Sequence, residues 1–392
     1  MTKKQRILLI SSNSSGRGGG ERYLVYLAQG LNLLDCEVHV LLSSVSYMDN
    51  WATTLTAEKA RVHRRPLVGL RDRPLRFVQS ILDRRQQLEI ANVCKQVAPD
   101  AILVNQQYDE DGLDYLAGAL MADVAPVGGT MHMPMTADKH KRPLGRWRGK
   151  LLHDWYEKHP YSLILVSEGS QREFESYYNY PRPTNVVHYG CPLPESSIPP
   201  ELSTSNLSLP KDWRNDRPVI GFVGQLVRQK NLQLLVDGWQ LAIKHGVDTR
   251  LLLIGDGPER GAIEKRLANT VPKHLWHITG WTNHPEIYLS LVDIYAMTSH
   301  FEGLPLSLIE AVGRGLPAIV TNFNGASDVA KRATWVRVLT DRSPESLASA
   351  LGEFIDKFPS LKEQALAGKK EFNNYFFIQR MARNTLAVFG LY

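Results

Sequence analysis

Short apolar runs alternate with amphipathic stretches along the chain. The first run, over residues 6–11, leads into a glycine-rich loop, and a helical pattern over 23–34 and a second apolar run over 37–42 follow. This order of strand, loop, helix and strand is typical of a doubly wound parallel sheet. Three more apolar runs predict buried strands of the same sheet, at residues 101–105, 124–130 and 163–167.

A second series of the same kind begins with the apolar run 219–224. It continues with predicted strands near residues 250–255, 276–280, 294–299, 317–321 and 335–339, separated by helical stretches. The chain between the two series is rich in proline, serine and charge, which is typical of an interdomain linker.

The pattern therefore predicts two domains of the α/β class. We expect an N-terminal domain over residues 1–195, a linker over 196–217 and a C-terminal domain over 218–375, with a final helix over 376–392 that packs back on the first domain. Both domains should be Rossmann-like and doubly wound. We expect them to face each other across a deep cleft, where a ligand would bind.

Composition fits this picture. The 392 residues are too many for one core, and 43% hydrophobic and 22% charged residues are ordinary for a soluble globular protein. The four-residue apolar run before Ser11 is too short for a signal peptide or a membrane span, so we expect a cytoplasmic protein. Three scattered cysteines, Cys36, Cys94 and Cys191, indicate neither a disulfide framework nor a zinc site.

The net charge of +6 permits nucleic acid, anionic lipid or a phosphorylated substrate as a partner. Residues 61–76 contain six arginines, and residues 139–152 contain six cations and no acid, interleaved with Leu144, Trp147, Leu151 and Leu152. Basic residues mixed with large apolar ones can lie on an anionic bilayer, so these stretches favour a peripheral position on the inner face of the cell membrane. The alternatives are a solvated charged face and a tryptophan that packs into the domain.

Polar residues follow the predicted strands of the first domain at the edge where function gathers in such sheets. They are Asn105, Gln106, His132 and Glu168. His132 is a candidate polar contact, or else a histidine satisfied by loop backbone. The glycines at 16–20 let the backbone approach a phosphate, although they match neither the dinucleotide nor the P-loop motif and a flexible surface loop is the alternative.

An acidic triplet, Asp109, Glu110 and Asp111, has the spacing of the DxD metal motif of some sugar-transfer enzymes. No other histidine or aspartate nearby adds ligands. We therefore interpret the triplet as a solvated helix start, because acidic residues favour the first turn of a helix.

The loop and helix over residues 302–317 carry the strongest candidate site. Pro305 suits the first helical position, Gly315 and Pro317 would end the helix, and free N–H groups around residues 304–307 would form either an anion site or a plain capped helix. Arg228 and Lys230 leave the same predicted edge and together suit a diphosphate. Glu310 could accept two hydroxyls of a ribose. A solvated cation pair and a structural glutamate are the alternatives.

Taken together, several motifs resemble those of the retaining glycosyltransferases of family 4, which have the GT-B fold. The motifs are the E-x7-E pair Glu302 and Glu310 with the residues between them, Gly255–Pro258, Gly280–Trp281, Gly224–Asn231, and, more loosely, Gly18–Glu21 and Thr130–His132. Two positions depart from the family pattern. Gln225 stands where arginine is frequent, and Val187–Gly190 replaces a common I-P-N-G stretch.

The resemblance implies roles for individual residues. It implies a catalytic set of Glu302, His132, Lys230 and Arg228, in which the two cations hold the donor diphosphate and Glu302 and His132 contact the donor sugar. It also implies that the donor is bound by Glu310 at the ribose and by Gly19, Gly20, Gly224, Gly257, Trp281, Gly303, Leu304 and Leu306, largely through their backbones.

The implied reaction is transfer of a sugar, with retention at the anomeric carbon, from a UDP- or GDP-sugar. The acceptor would be a glycan or a lipid-linked or phosphorylated molecule in cell-surface polysaccharide or lipopolysaccharide assembly. The resemblance implies front-face attack with no cofactor, no obligatory metal and no nucleic acid. A nucleotide-sugar epimerase, a phosphorylase and a non-catalytic nucleotide- or carbohydrate-binding protein are the alternatives.

Overall fold

The structure is a computed structural model that describes residues 4–12, 18–69, 76–136, 144–194, 209, 213 and 217–392. The chain divides into two compact units. The first domain comprises Met1–Gly190 with Phe376–Tyr392, and the second comprises Cys191–Tyr375. The predicted linker, 196–217, lies outside the described residues except at positions 209, 213 and 217.

The described residues of the first domain form a seven-stranded parallel sheet. Its strands are β1 (Arg6–Ser11), β2 (Glu37–Ser43), β3 (Arg61–Arg65), β4 (Ala101–Gln106), β5 (Val127–Met131), β6 (Ser162–Leu165) and β7 (Asn185–Val186). They lie in the order β3-β2-β1-β4-β5-β6-β7. Between them run α1 (Gly19–Asn32), α2 (Asp49–Ala57), α3 (Arg76–Leu82), α4 (Arg84–Val97), α5 (Leu113–Ala122), α6 (Gly145–Lys158) and α7 (Glu168–Tyr177).

In the second domain, the part of the chain that the structure describes forms a six-stranded parallel sheet. Its strands are β8 (Val219–Val223), β9 (Arg250–Ile254), β10 (Trp276–Ile278), β11 (Ile294–Met297), β12 (Ala318–Thr321) and β13 (Val336–Leu339). They lie in the order β10-β9-β8-β11-β12-β13. The helices are α8 (Leu232–Lys244), α9 (Arg260–Thr270), α10 (Pro285–Leu289), α11 (Leu306–Gly313), α12 (Ala326–Ala330), α13 (Pro344–Asp356) and α14 (Phe358–Tyr375).

The last helix, α15 (Ile378–Val388), returns to the first domain and packs on α1. Gly30 of α1 shows how close this packing is. A Cβ atom at that position would lie 2.3 Å from the carbonyl oxygen of Ile378, so only glycine allows the two helices to approach so closely.

Two doubly wound parallel sheets confirm the predicted fold class. The apolar runs form the central strands, and β8 and β9 are buried at every residue. Strand β5 begins at Val127, three residues later than predicted, because Pro126 has no N–H to donate to a sheet.

Both sheets reverse their strand order once. The reversal lies between β1 and β4 in the first domain and between β8 and β11 in the second. The loops that leave two such strands diverge to opposite faces of the sheet and open a crevice at their carboxyl ends. Gly19 and Gly20 follow β1, Lys230 follows β8 and Glu302 follows β11, so these candidate residues come directly after the strands at which the order reverses.

Candidate functional site

The loops after β8 and β11 are tied together at the switch point of the second domain. The N–H of His300 donates to the carbonyl of Gln229 at 2.8 Å. The Gln229 amide donates to the carbonyl of Phe301 at 3.0 Å, and the Thr298 hydroxyl donates to the carbonyl of Asn231 at 2.9 Å. These bonds fix the 3₁₀ turn Arg228–Lys230 against the segment that carries Glu302.

Lys230 and Glu302 form an ion pair at the centre of this arrangement. Lys230 Nζ lies 2.6 Å from Glu302 Oε1, and the two side chains are only 16% and 8% exposed. Two charges so far removed from water need a close partner, and each supplies one for the other. The structure therefore brings together two predicted site residues that are 72 positions apart in the sequence.

Helix α11 begins one residue later than predicted. Pro305 has an extended backbone (φ −73°, ψ 123°) and caps the helix, and Leu306 is its first residue. The prediction that Pro305 takes the first helical position is therefore wrong. Its carbonyl accepts from the N–H groups of Leu308 and Ile309, as an N-cap carbonyl does. Within the described part of the chain, the N–H groups of Leu306 and Ser307 have no acceptor, which leaves two donors directed out of the helix start.

Tyr295 connects the elements of this site and was not singled out from the sequence. Its buried hydroxyl donates to Ser307 Oγ at 3.0 Å. Burial raises the pKa of Tyr295 above its usual range, and the charges of Glu302 and Glu310 raise it further. Both glutamates of the E-x7-E pair are thus close enough to the Tyr295 hydroxyl to raise its pKa. The sequence feature that could have identified this residue is a tyrosine within an otherwise aliphatic strand.

Several loops of the second domain pack so closely that a glycine lies at each point of contact. A Cβ atom at Gly257 would lie 2.4 Å from the carbonyl oxygen of Leu226, and one at Gly255 would lie 2.0 Å from that of Gly224. The loop after β12 packs equally closely on the loop after β11, since a Cβ atom at Gly325 would lie 2.4 Å from the carbonyl oxygen of Gly303. These contacts place three predicted donor-binding glycines at the same edge of the sheet.

The other predicted residues of the second domain differ in exposure. Leu304 is buried and Leu306 nearly so. Trp281, which follows β10, is 46% exposed. Arg228 is also exposed. Burial lowers the pKa of His300, and the charges of Arg342 and Arg228 lower it further.

In the first domain, His132 is buried within a hydrogen-bond network. It is 3% exposed. Its Nε2 lies 2.6 Å from Asn105 Oδ1, and its Nδ1 bonds to the Tyr189 hydroxyl. Burial lowers the pKa of His132 to about 3, so the ring is neutral at physiological pH. The sugar contact predicted for His132 stays a prediction, and it would require one of these bonds to break.

Gly19 and Gly20 begin helix α1, whose N-cap Gly18 offers no side chain to cap the helix. A Cβ atom at Gly19 would meet no atom within 4 Å, whereas one at Gly20 would lie 3.0 Å from Gln107 Oε1 and 3.3 Å from the His132 ring. A side chain at position 20 would therefore be crowded by Gln107 and by the His132 ring. Gly16 lies in the stretch 13–17, about which the structure says nothing.

The acidic triplet is buried, so its interpretation as a solvated helix start is wrong. Asp111 Oδ2 accepts from the Ser12 hydroxyl at 2.6 Å and from the N–H of Gln107 at 2.8 Å. Asp109 accepts from the Tyr178 hydroxyl, and Glu110 pairs with Arg148 of α6. The triplet thus holds the loops after β1 and β4 and helix α6 together. Among the described residues, no group of three or more histidines, cysteines, aspartates or glutamates could hold a metal ion.

The two basic stretches differ in whether their described cations pair with acidic side chains. In the first, Arg61, Arg64 and Arg65 pair with Glu37, Asp49 and Glu89, respectively. In the second, Arg148 is taken up by Glu110, but Leu144 and Trp147 are 72% and 49% exposed beside exposed Arg146 and Lys150. Trp155 and Leu152 are buried. The remaining cations, at 71, 73, 139, 141 and 142 and the side chain at 76, fall outside the described residues.

Two family models match the chain. Residues 17–193 match the family described as Glycosyltransferase Family 4, and residues 217–357 match the one described as Glycosyl transferases group 1. The two matches fall in the first and second domains, except for a few residues at their ends.

Curated relatives are similar over part of their length. The 2-deoxystreptamine N-acetyl-D-glucosaminyltransferase of Niallia circulans is 33% identical over 111 residues, 28% of this chain and 28% of that protein. The UDP-Gal:alpha-D-GlcNAc-diphosphoundecaprenol alpha-1,3-galactosyltransferase of Escherichia coli is 24% identical over 266 residues, 65% of this chain and 66% of that protein. The chain thus spans less than two thirds of the length of these relatives.

A solved structure matches nearly the whole chain. Anabaena Alr3699/HepE, crystallised with UDP and glucose, has a TM-score of 0.77 at 16% sequence identity, over 98% of this chain and 99% of that chain. At this identity the likeness shows the fold, which is that of the GT-B glycosyltransferases.

Proposed function

The chain carries glycosyltransferase domains in both halves of a GT-B fold, and from this premise we propose that it is a retaining glycosyltransferase that uses a UDP- or GDP-sugar. The acceptor we propose is a glycan or a lipid-linked or phosphorylated sugar in the assembly of a cell-surface polysaccharide. The names of the relatives support this class, since one acts on a sugar linked to diphosphoundecaprenol.

The observation that carries the proposal is the Lys230–Glu302 pair at the switch point of the second domain. A cation, an acid and two free helix N–H groups, those of Leu306 and Ser307, occupy one sheet edge. A diphosphate would bind to the ammonium and the N–H groups, because both favour negative charge. Glu302, released from Lys230, would then accept from a hydroxyl of the donor sugar.

The same groups account for catalysis. As the bond between the sugar and the diphosphate breaks, negative charge grows on the leaving oxygen, and Lys230, Arg228 and the start of α11 stabilise it. The acceptor hydroxyl attacks from the side of the leaving group and passes its proton to the departing phosphate, so the anomeric configuration is retained. Fixed protein charges replace a metal in this scheme, and no side chain acts as a nucleophile.

The test is a transfer assay with UDP- and GDP-sugars and glycan acceptors, in which proton NMR of the first product gives its anomeric configuration. We expect acceptor-dependent release of the nucleoside diphosphate, an α-linked product from an α-linked donor, and the same rate in EDTA. An inverted product would contradict the mechanism. Conversion of the donor without an acceptor would instead indicate an epimerase.

We also propose that α6 places the first domain on the anionic inner face of a membrane. Exposed Leu144 and Trp147 beside Arg146 and Lys150 support this proposal, because aromatic and basic side chains suit the headgroup region. No helix among the described residues is long and apolar enough to cross a membrane.

Vesicle sedimentation tests the membrane proposal. Binding to vesicles of phosphatidylcholine with phosphatidylglycerol should fall roughly tenfold in a Trp147→Ala, Lys150→Ala variant, since apolar contact and about 1 kcal/mol of attraction per cation are both lost. Leu366→Ala, which removes an exposed leucine of the second domain, is the matched control. Equal binding of the two variants would exclude α6 as the docking surface.

A further inference from the structure

The donor and the acceptor of each hydrogen bond around His132 can be assigned from the partners of Asn105. The Asn105 amide nitrogen donates to the carbonyl of Gly20 at 3.2 Å, so its oxygen, Oδ1, is the atom that faces His132. An oxygen there can only accept, and Nε2 must therefore carry the proton. A neutral ring then has a bare Nδ1, which accepts from the Tyr189 hydroxyl.

The result is a relay from Tyr189 through His132 and Asn105 to the first turn of α1. Tyr189 is the penultimate residue of the first domain before the chain enters the second at Cys191. The relay is enclosed by Tyr23, whose ring lies edge-on to His132 at 5.0 Å and whose hydroxyl bonds to Thr130 at 3.0 Å. Each polar group of the relay is buried and satisfied, and such a network holds its members in one arrangement.

We propose that Tyr189 and Asn105 are positioning residues which, acting through a neutral His132, hold the first turn of α1 in the orientation that receives the donor phosphate. This inference rests on the proposed function and on the prediction that Gly19 and Gly20 contact the donor phosphate. It gives His132 a role in which it does not touch the sugar, and it assigns a role to Asn105 and to Tyr189, for which the resemblance implied none. Gly20 fits the relay, because any side chain at that position would push against the His132 ring.

The relay makes a prediction that is independent of any ligand. In nitrogen-15 NMR of the full chain, His132 should show a protonated Nε2, a bare Nδ1 and no titration between pH 5 and 8. Tyr189→Phe should shift the Nδ1 resonance. A protonated Nδ1 or a titration near pH 6.5 would overturn the relay, whatever reaction the protein catalyses.

The positioning role is tested by calorimetry with UDP and GDP. Loss of one neutral hydrogen bond can raise a dissociation constant by a factor of roughly three to ten. Tyr189→Phe and Asn105→Ser should each weaken binding of the preferred diphosphate by that factor. Tyr180→Phe is the matched control, since it removes a partly buried hydroxyl that donates to the carbonyl of Tyr161 in the same domain but outside the relay, and it should bind normally. The double variant should lose little more than either single one, because the two residues act through one chain.

The outcomes separate the two proposals. If the wild-type protein binds no nucleoside diphosphate, the proposed function fails, and the NMR result still decides whether the relay exists. If the wild type binds and both folded variants bind as tightly, the positioning role is wrong. Asn105→Ser leaves a gap in a buried strand, so Tyr189→Phe, which changes one hydroxyl, decides the question should the other variant not fold.

Discussion

At the scale of single residues, each domain contains a set of buried polar groups that are stable only together. Lys230 and Glu302 neutralise each other in the second domain. In the first domain, His132 is kept neutral by burial and by two directed hydrogen bonds. A change to one member of either set leaves a buried polar group without its partner, so stability and activity change together unless the variants are chosen in pairs.

Variants of the Lys230–Glu302 pair separate the effect on stability from the effect on transfer activity. Lys230→Ala should lower transfer by about 10²–10³-fold, as loss of a group that stabilises the leaving charge does, and should destabilise the fold by about 3 kcal/mol because Glu302 stays buried. Lys230→Met with Glu302→Gln should recover most of the stability and none of the activity. Transfer rates and urea unfolding measure both quantities.

The matched control for this pair is Arg266→Ala, which breaks an ion pair with Asp237 outside the site. Its transfer rate should equal that of the wild type. If the Lys230 variants also transferred sugar at the wild-type rate, the diphosphate could not bind at this ammonium.

His132 gives a prediction about pH. Its pKa in the fold is about 3, below the ordinary 6.5, so the unfolded chain binds the proton first as the pH falls. The stability from this group is therefore complete above about pH 6.5 and is lost toward pH 3, at up to about 1.4 kcal/mol per pH unit. Urea unfolding between pH 7 and 4.5 should show a steeper fall for the wild type than for His132→Phe. Equal slopes would mean that His132 is charged or exposed in the fold.

At the scale of elements, the buried acidic turn before α5 organises the functional edge of the first sheet. Asp111 holds the loop after β1 through Ser12, and Glu110 holds helix α6 through Arg148. Arg148 belongs to a stretch that the sequence presents as a continuous basic surface. The structure divides that helix into a face with a structural cation and a face with exposed cations.

This division predicts different behaviour for two neighbouring arginines. Arg148→Ala should lower the free energy of unfolding by about 3 kcal/mol, because Glu110 is left buried without its cation. Arg146→Ala, on the exposed face, should change stability by less than about 0.5 kcal/mol and should weaken vesicle binding instead. Similar unfolding curves for the two variants would contradict the structural role of Arg148.

The elements also show what the sequence alone can predict. Strand positions were predictable, since fully buried parallel strands are short apolar runs with clear boundaries. The acidic triplet was misread because its partners Ser12, Arg148 and Tyr178 are remote in sequence. Local composition favours a solvated turn, and only the tertiary fold supplies the donors that make burial possible.

At the scale of the whole molecule, the same architecture occurs twice. Gly19 and Gly20 in the first domain and Lys230 and Glu302 in the second follow the strands at which the sheet order reverses, whereas His132 follows β5 and Trp281 follows β10. The sequence motifs were enough to predict this placement for Lys230, Glu302 and Glu310. Asn105 was predicted at the functional edge of the first sheet, but its bond to Gly20 could not be predicted, and neither could the role of Tyr295, because both depend on hydrogen bonds to groups that only the fold brings close.

The central claim is that the second domain binds a nucleoside diphosphate through Lys230 and the start of α11. Calorimetric titration of the full chain with UDP and GDP, for the wild type and for the Lys230→Met, Glu302→Gln variant, tests it most directly. We predict that the wild type binds one of the two at micromolar concentration and that the folded variant binds it at least a hundredfold more weakly. Equal affinity in the two proteins, or no binding of either diphosphate to the wild type, would contradict the claim.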